Sequence, residues 1–553
     1  MNNIGDFDPA LEPLRDISPT ELKLGATLDA HGVYATEQFV LRLSPRVHEL
    51  VDALTKGETD GHDRADLVRA YSTYLHETIH WWQHVGTTTG VILSLCYPTQ
   101  CTCNIEQLRS VLQDIGPKKS LFHWAERALM GEIESDEMTL QTANVAVNNA
   151  LDIDFYKQFQ VWPSRAEQLW HNKYFESVGH SYFVAYGTTL SAISETCGLA
   201  EGSLPDTTSW ESRYEALRAA KHEGFYHGSP IRRARIGLLD ILEGQASMAQ
   251  IQFLIAAGGP TDWASYQDQG FFAGVYISAF NAFAELAGID RPTDVTDPIV
   301  NLFLLVCDMA LNPYRGLPID LEFFEDLIVD LDPGARFTLL SEAVAKRPHL
   351  SRVIQNCSAE EYWSVSSELA DEAGYDHPRA GLEALDWIAT NDPGGVRLLK
   401  DRETFNYQPD NLPMQVVFAE FLAFSRDKLR NPEFFCWPGY HSAGDRLPPE
   451  YQDLFKDHLS LFSDRADTEQ IFPRDLPGKD PEGRKDMLDR FFGSLILYDL
   501  TLQWILRDGP FKYDFKWMTG KSSNDALIAW AKKSFEATYG ANPDDFEVVG
   551  ASA

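Results

Sequence analysis

The chain has 553 residues, 44% hydrophobic and 12% aromatic, enough apolar material for more than one ordinary core. Acidic residues number 82 against 47 basic ones, a formal net charge of −35. Such a field repels phosphate backbones and anionic lipid, which argues against nucleic acid and the membrane surface as partners.

The first twenty or so residues are polar and carry proline, with no basic stretch followed by an apolar one, so a secretory leader is not expected. From 21 to 42 the pattern is that of a β-hairpin. Leu22, Leu24, Ala26 and Leu28 alternate with polar neighbours, Asp29 to Gly32 supplies turn chemistry, and Val33, Tyr34, Phe39, Val40 and Leu41 form the return strand. Helical periodicity takes over at about 64. Asp63 or Asp66 is placed to cap a helix whose buried stripe holds Leu67, Tyr71, Tyr74, Leu75, Ile79 and Trp82, and Gly86 is placed to stop it.

Further helices are expected near 105–114, 119–148, 183–200, 232–257, 271–287, 296–311, 358–373, 379–391, 412–429, 484–507 and 524–538. The Phe271, Phe272, Phe280 and Phe283 set reads as core. Loops rich in proline and glycine fall at Asn312 to Pro318 and Asp475 to Gly483. The fold class expected is mainly α with a small N-terminal β element. Its expected division is a metal-binding region, 1–316, and a helical region, 317–553. No apolar run is long enough to span a bilayer. The seven cysteines are scattered without a Cys-x-x-Cys pair, which suits free thiols in the cytoplasm.

One motif carries chemistry. His76-Glu77-Thr78-Ile79-His80 places two imidazoles four residues apart, on one face of a helix and one turn from each other. At that spacing both can bind one ion. Glu77 projects beside them, where it can take a proton from a metal-activated water. The alternative is an amphipathic helix that happens to carry two histidines. The apolar flanks Tyr74, Leu75, Ile79 and Trp82 favour a buried site over that reading. His84 continues the stripe, but it stands about 12 Å from His76 along the axis and is read as a supporting or packed residue.

A third protein ligand is required. Glu243 is preferred, because it sits among Leu238, Leu239, Leu242, Ala246 and Ala249, where a carboxylate needs a metal or a cation. Gly244 and Ala246 would let another helix approach. Glu195 and Glu134 are competing ligands, and an ion pair with Arg232, Arg233 or Arg235 is the bland alternative for Glu243. His180, Tyr182, Tyr186 and His227 are candidates for stabilising a developing oxyanion, and the sequence does not choose among them.

On His76, Glu77 and His80, with strands before them, the chain resembles the zincin metallopeptidases, and it is similar to unannotated bacterial proteins with the same motif. The third histidine of metzincins is absent. The resemblance implies a gluzincin-type arrangement: zinc, Glu77 as general base, a glutamate from a later helix, and a sheet edge that aligns an extended peptide or protein substrate. Ser247 departs from the pattern, standing where an acidic residue often supports the first histidine. Two other readings stay open. One is a non-catalytic binding or regulatory protein with a structural metal. The other is a non-haem iron oxygenase acting on a peptide, since two histidines and a carboxylate also suit iron. A ferritin-like di-iron site would need Glu-x-x-His twice and finds it once. Gly-x-Ser-x-Gly, phosphate-loop and dinucleotide motifs are absent.

Overall fold

A computed structural model describes residues 31–230, 233–474, 480–516 and 524–550. The fold is 68% helical, with a four-stranded sheet of order β1-β2-β3-β4. β1 is Gly32–Ala35 and β2 is Val40–Leu43; β3, Phe462–Arg465, and β4, Thr468–Pro473, come from far along the chain. β1 and β2 are antiparallel, β2 runs parallel to β3, and β3 is antiparallel to β4.

The hairpin differs from the expected one. Its turn lies at Thr36–Gln38, closed by Phe39 in the left-handed region with φ 55°, so the expected return strand is itself the whole hairpin. The Leu22 to Leu28 stretch lies outside the described residues.

The motif helix spans Arg64–Gly86, and Asp63 caps it by accepting from the Ala65 amide. Of the expected stripe, Leu67, Tyr74, Leu75, Ile79 and Trp82 are buried and Tyr71 is partly so. From Tyr74 onward the helix is buried on nearly all sides, between β1, the Leu238–Ala256 helix and the Leu412–Arg430 helix. Gly86 is the last helical residue but not a left-handed stop; glycine there admits the Phe424 ring, 2.8 Å from where a Cβ would lie. Thr87 is extended, and its hydroxyl caps a further helix, Thr88–Thr102, by accepting from Gly90.

One other expectation changes. The single helix over 119–148 is two, Leu121–Leu129 and Glu137–Val161, separated by Gly131 at φ 74° and restarted by the Asp136 cap on Thr139. The Asn312 to Pro318 loop is largely buried. Tyr314 packs against Gly381, and a Cβ on Gly316 would meet Leu331 at 2.7 Å. The β2–β3 pairing crosses position 316, and both hydrophobic clusters draw residues from either side of it. Of the Phe271 to Phe283 set, Phe280 and Phe283 are buried, while Phe271 and Phe272 lie at the edge of their cluster. All seven cysteines are free thiols. No described helix is long and apolar enough to cross a membrane.

Candidate metal centre

The motif helix and the Leu238–Ala256 helix lie against each other and bring His76, His80 and Glu243 to one point. The two Nε2 atoms are 3.1 Å apart, and each lies 3.5 Å from Glu243 Oε2. Zinc holds such donors at about 2.1 Å; at tetrahedral angles neighbouring donors then stand about 3.4 Å apart. The observed triangle matches that spacing, so the three side chains fit one ion. Glu243 Oε2 and His76 Nδ1 are buried atoms with no hydrogen-bond partner. A carboxylate oxygen in that position is what a cation would satisfy. The side chains are 11%, 14% and 21% exposed, so the centre lies just beneath the surface rather than deep in the core.

Glu243 gets there because its helix is thin where it must be. A Cβ on Gly244 would touch Ala279 at 3.1 Å, so glycine lets the Val275–Ala287 helix close onto this one. The alternative assignments for Glu243 are taken up elsewhere. Arg235 pairs with Glu285 at 2.8 Å and Arg233 with Glu167 at 3.6 Å; Arg232 lies outside the described residues. Glu195 and Glu134 are exposed.

Electrostatics couple the set. Burial works against charge on Glu243, but His80 and His76 overcome it and hold the carboxyl well below its usual range. Burial likewise opposes charge on His80, and Glu243 outweighs it, raising the imidazole to about 9. Glu77 is different. Burial pushes its carboxyl up, with the two imidazoles pulling the other way.

Glu77 is also fixed from the sheet. Ser44 N–H donates to the His31 carbonyl, so by the alternation of an antiparallel ladder Val33 faces β2 while Gly32 and Tyr34 turn their backbone groups outward. The Tyr34 amide hydrogen-bonds to Glu77, and a Cβ on Gly32 would lie 2.8 Å from Glu77 Cγ. Strand β1 therefore rests on the carboxylate.

Two residues here escaped sequence reading. Tyr276, 38% exposed, has its ring centroid 6.2 Å from that of His76, and burial with Glu243 and Glu77 nearby pushes its phenol up to about 12, so it remains a donor at neutral pH. Gln83 accepts from His80 Nδ1 at 2.8 Å. Gln83 is three residues after His80, within reach along the helix, and that spacing was the available signal.

The other sequence candidates lie apart. His180 pairs with Asp152 at 3.1 Å, and Tyr182 donates to Asp332 at 2.5 Å. Tyr186 is buried against Tyr156, and His227 lines a separate small cavity with Trp170, Phe175 and Glu176. None of the four makes a hydrogen bond, ion pair or ring contact with the three donors. His84 is a packed residue: it hydrogen-bonds to Tyr34 at 2.9 Å and lies against Phe39, and burial lowers it to about 3. Ser247 donates to the Phe271 carbonyl and leaves His76 Nδ1 alone. A second cluster, Asp427, Asp457 and His458, is tied into ion pairs: His458 to Asp427 at 2.9 Å, and Arg402 to Asp457 at 3.0 Å.

Comparison with protein-family models, curated proteins and solved structures finds no match to this chain. A functional reading therefore rests on the geometry of this centre.

Proposed function

We propose that this chain is a metal-dependent hydrolase of the zinc peptidase type, with zinc held by His76, His80 and Glu243 and a peptide or protein as substrate. The observation that carries the reading is the triangle of donors with a buried glutamate beside it that is not one of the three. Zinc bound there supplies Lewis acidity and a water made acidic enough to lose a proton near neutral pH. Glu77 receives that proton on its carboxylate, and its burial raises its affinity for it. The Tyr34 amide keeps the carboxylate from swinging away. Glu77 then returns the proton to the leaving nitrogen. Tyr276 donates a hydrogen bond to the oxygen on which negative charge develops. Among the described residues β1 is the outer strand of its sheet, and its outward backbone groups other than the Tyr34 amide would offer an edge for an extended chain to line up on.

A buried base beside the donors favours hydrolysis over the iron oxygenase reading, which has no use for it. The structural-metal reading expects a fourth ligand, often cysteine. Among the described residues no cysteine joins the histidines in a ligand group.

The test is metal analysis of the purified protein, followed by mass-spectrometric detection of fragments from a denatured protein mixture. Zinc at one equivalent and cleavage that disappears in Glu77→Gln, with zinc retained and a loss of about 10²- to 10⁴-fold, is the expected result. Iron in place of zinc, or Glu77→Gln cleaving as well as the parent, would overturn the reading.

A further inference from the structure

The Leu242 carbonyl belongs to the residue before Glu243 and reaches back to the motif helix. Gln83 Nε2 donates to it at 2.9 Å, and also to Gln245 Oε1 at 2.8 Å. A backbone carbonyl can only accept, so the contact dictates which end of the Gln83 carboxamide faces it. The NH₂ points to Leu242, and the oxygen must point to His80 Nδ1. An oxygen can only accept there, so Nδ1 carries the proton. A neutral His80 then presents Nε2 as a bare lone pair, aimed at Glu243 Oε2 and His76 Nε2.

We propose that Gln83 is the positioning residue of the centre, fixing the metal-binding tautomer of His80 and, through Leu242, the spacing of the Glu243 helix from the motif helix. The proposal rests on the metal reading above. Its two functions are inseparable in one side chain, since the same amide whose oxygen selects the tautomer grips the carbonyl next to the third ligand. His76 has no such support, so selection of the binding state falls on His80. The end of the motif helix is pinned at the same residue. Thr87 Oγ donates to the Gln83 carbonyl at 2.6 Å, and a Cβ on Gly90 would lie 1.9 Å from it, so Gln83 has little freedom to move off its partners.

Zinc affinity measured by competition with a chromophoric chelator tests this, with the Co²⁺ absorption spectrum as a readout of ligand geometry. Gln83→Met keeps the length and removes every side-chain hydrogen bond. It is expected to weaken zinc binding 10- to 100-fold, the range for losing a partner of a ligating histidine, with an unchanged circular dichroism spectrum. Gln83→Glu restores an acceptor to Nδ1 but cannot donate to the Leu242 carbonyl, so it is expected to recover only part of that loss. Gln245→Met removes only the redundant contact and should stay within a few-fold of the parent. Parent-like affinity in Gln83→Met, or Gln83→Glu falling as far as Gln83→Met, would overturn the positioning role while leaving the metal reading intact. A parent protein that takes up neither zinc nor Co²⁺ would instead sink the metal reading, and the proposal with it.

Discussion

His80 Nε2 stands 3.5 Å from Glu243 Oε2, although the two residues belong to different helices far apart in the chain. Gln83 ties the Glu243 helix to the motif helix at the Leu242 carbonyl, and Gly244 lets a third helix close onto the Glu243 helix. The same pairing explains the charge states. Each group alone would resist ionisation in a buried setting; the pairing lowers the Glu243 carboxyl and raises the His80 imidazole, whose proton a bound cation would displace.

On the proposed reading Glu243 is the third ligand, so Glu243→Ala should lower zinc affinity by more than the roughly 10- to 100-fold typical of a supporting residue. Glu195→Ala, at an exposed position that sequence alone also allows, should leave it unchanged. Chelator competition on both variants decides the matter. Undiminished affinity in Glu243→Ala would place the ligand elsewhere.

Much of this centre was legible in the sequence, for physical reasons that differ by residue. His76 and His80 announce themselves because two imidazoles at helical spacing have few other uses. Glu243 was legible because a carboxylate in an apolar stretch needs a partner. Tyr276 was not legible, since its place beside His76 depends on the close approach at Gly244, a tertiary fact. Gln83 was not singled out, since an uncharged amide has no compositional signature and its decisive partner is a backbone carbonyl.

The helices show the same split. Long periodic ones fall close to their expected spans. Pro333–Lys346 and Pro393–Thr404 were missed, although Asp332 and Asp392 cap them and proline opens each, a signal also present at Asp297-Pro298 and Asp480-Pro481. The strand partners of the hairpin, β3 and β4, lie beyond the reach of any local pattern.

Gly32 is the point where the sheet edge meets the proposed base. Its backbone is not in the left-handed region, so substitution there is a matter of space alone. A Cβ would lie 2.8 Å from Glu77 Cγ and 3.0 Å from Leu43 Cδ2. Gly32→Val should destabilise the fold by about 1–3 kcal/mol as overpacking does, and displace the Glu77 carboxylate. Cleavage should then fall at least tenfold while zinc affinity, set by other residues, changes by no more than a few-fold. Turnover equal to the parent in a folded, zinc-loaded Gly32→Val protein would show that Glu77 does not depend on β1 for its position.

His84 makes the acid stability of the fold predictable. Its imidazole is buried between Tyr34 and Phe39, and burial lowers it from 6.5 to about 3. Between those values the unfolded chain takes up a proton that the folded chain refuses. Stability from this group is therefore complete above pH 6.5 and is lost progressively as the pH falls towards 3. At pH 5 the loss amounts to about 2 kcal/mol relative to neutral pH. Urea denaturation in the presence of a chelator, so that metal binding does not contribute, should show that decline. His84→Gln can keep a hydrogen bond to Tyr34 without a titratable ring, so its stability should fall less between pH 7 and 5 by nearly that amount. Parallel pH profiles for the two proteins would mean that the ring takes up its proton without leaving the Tyr34 and Phe39 contacts.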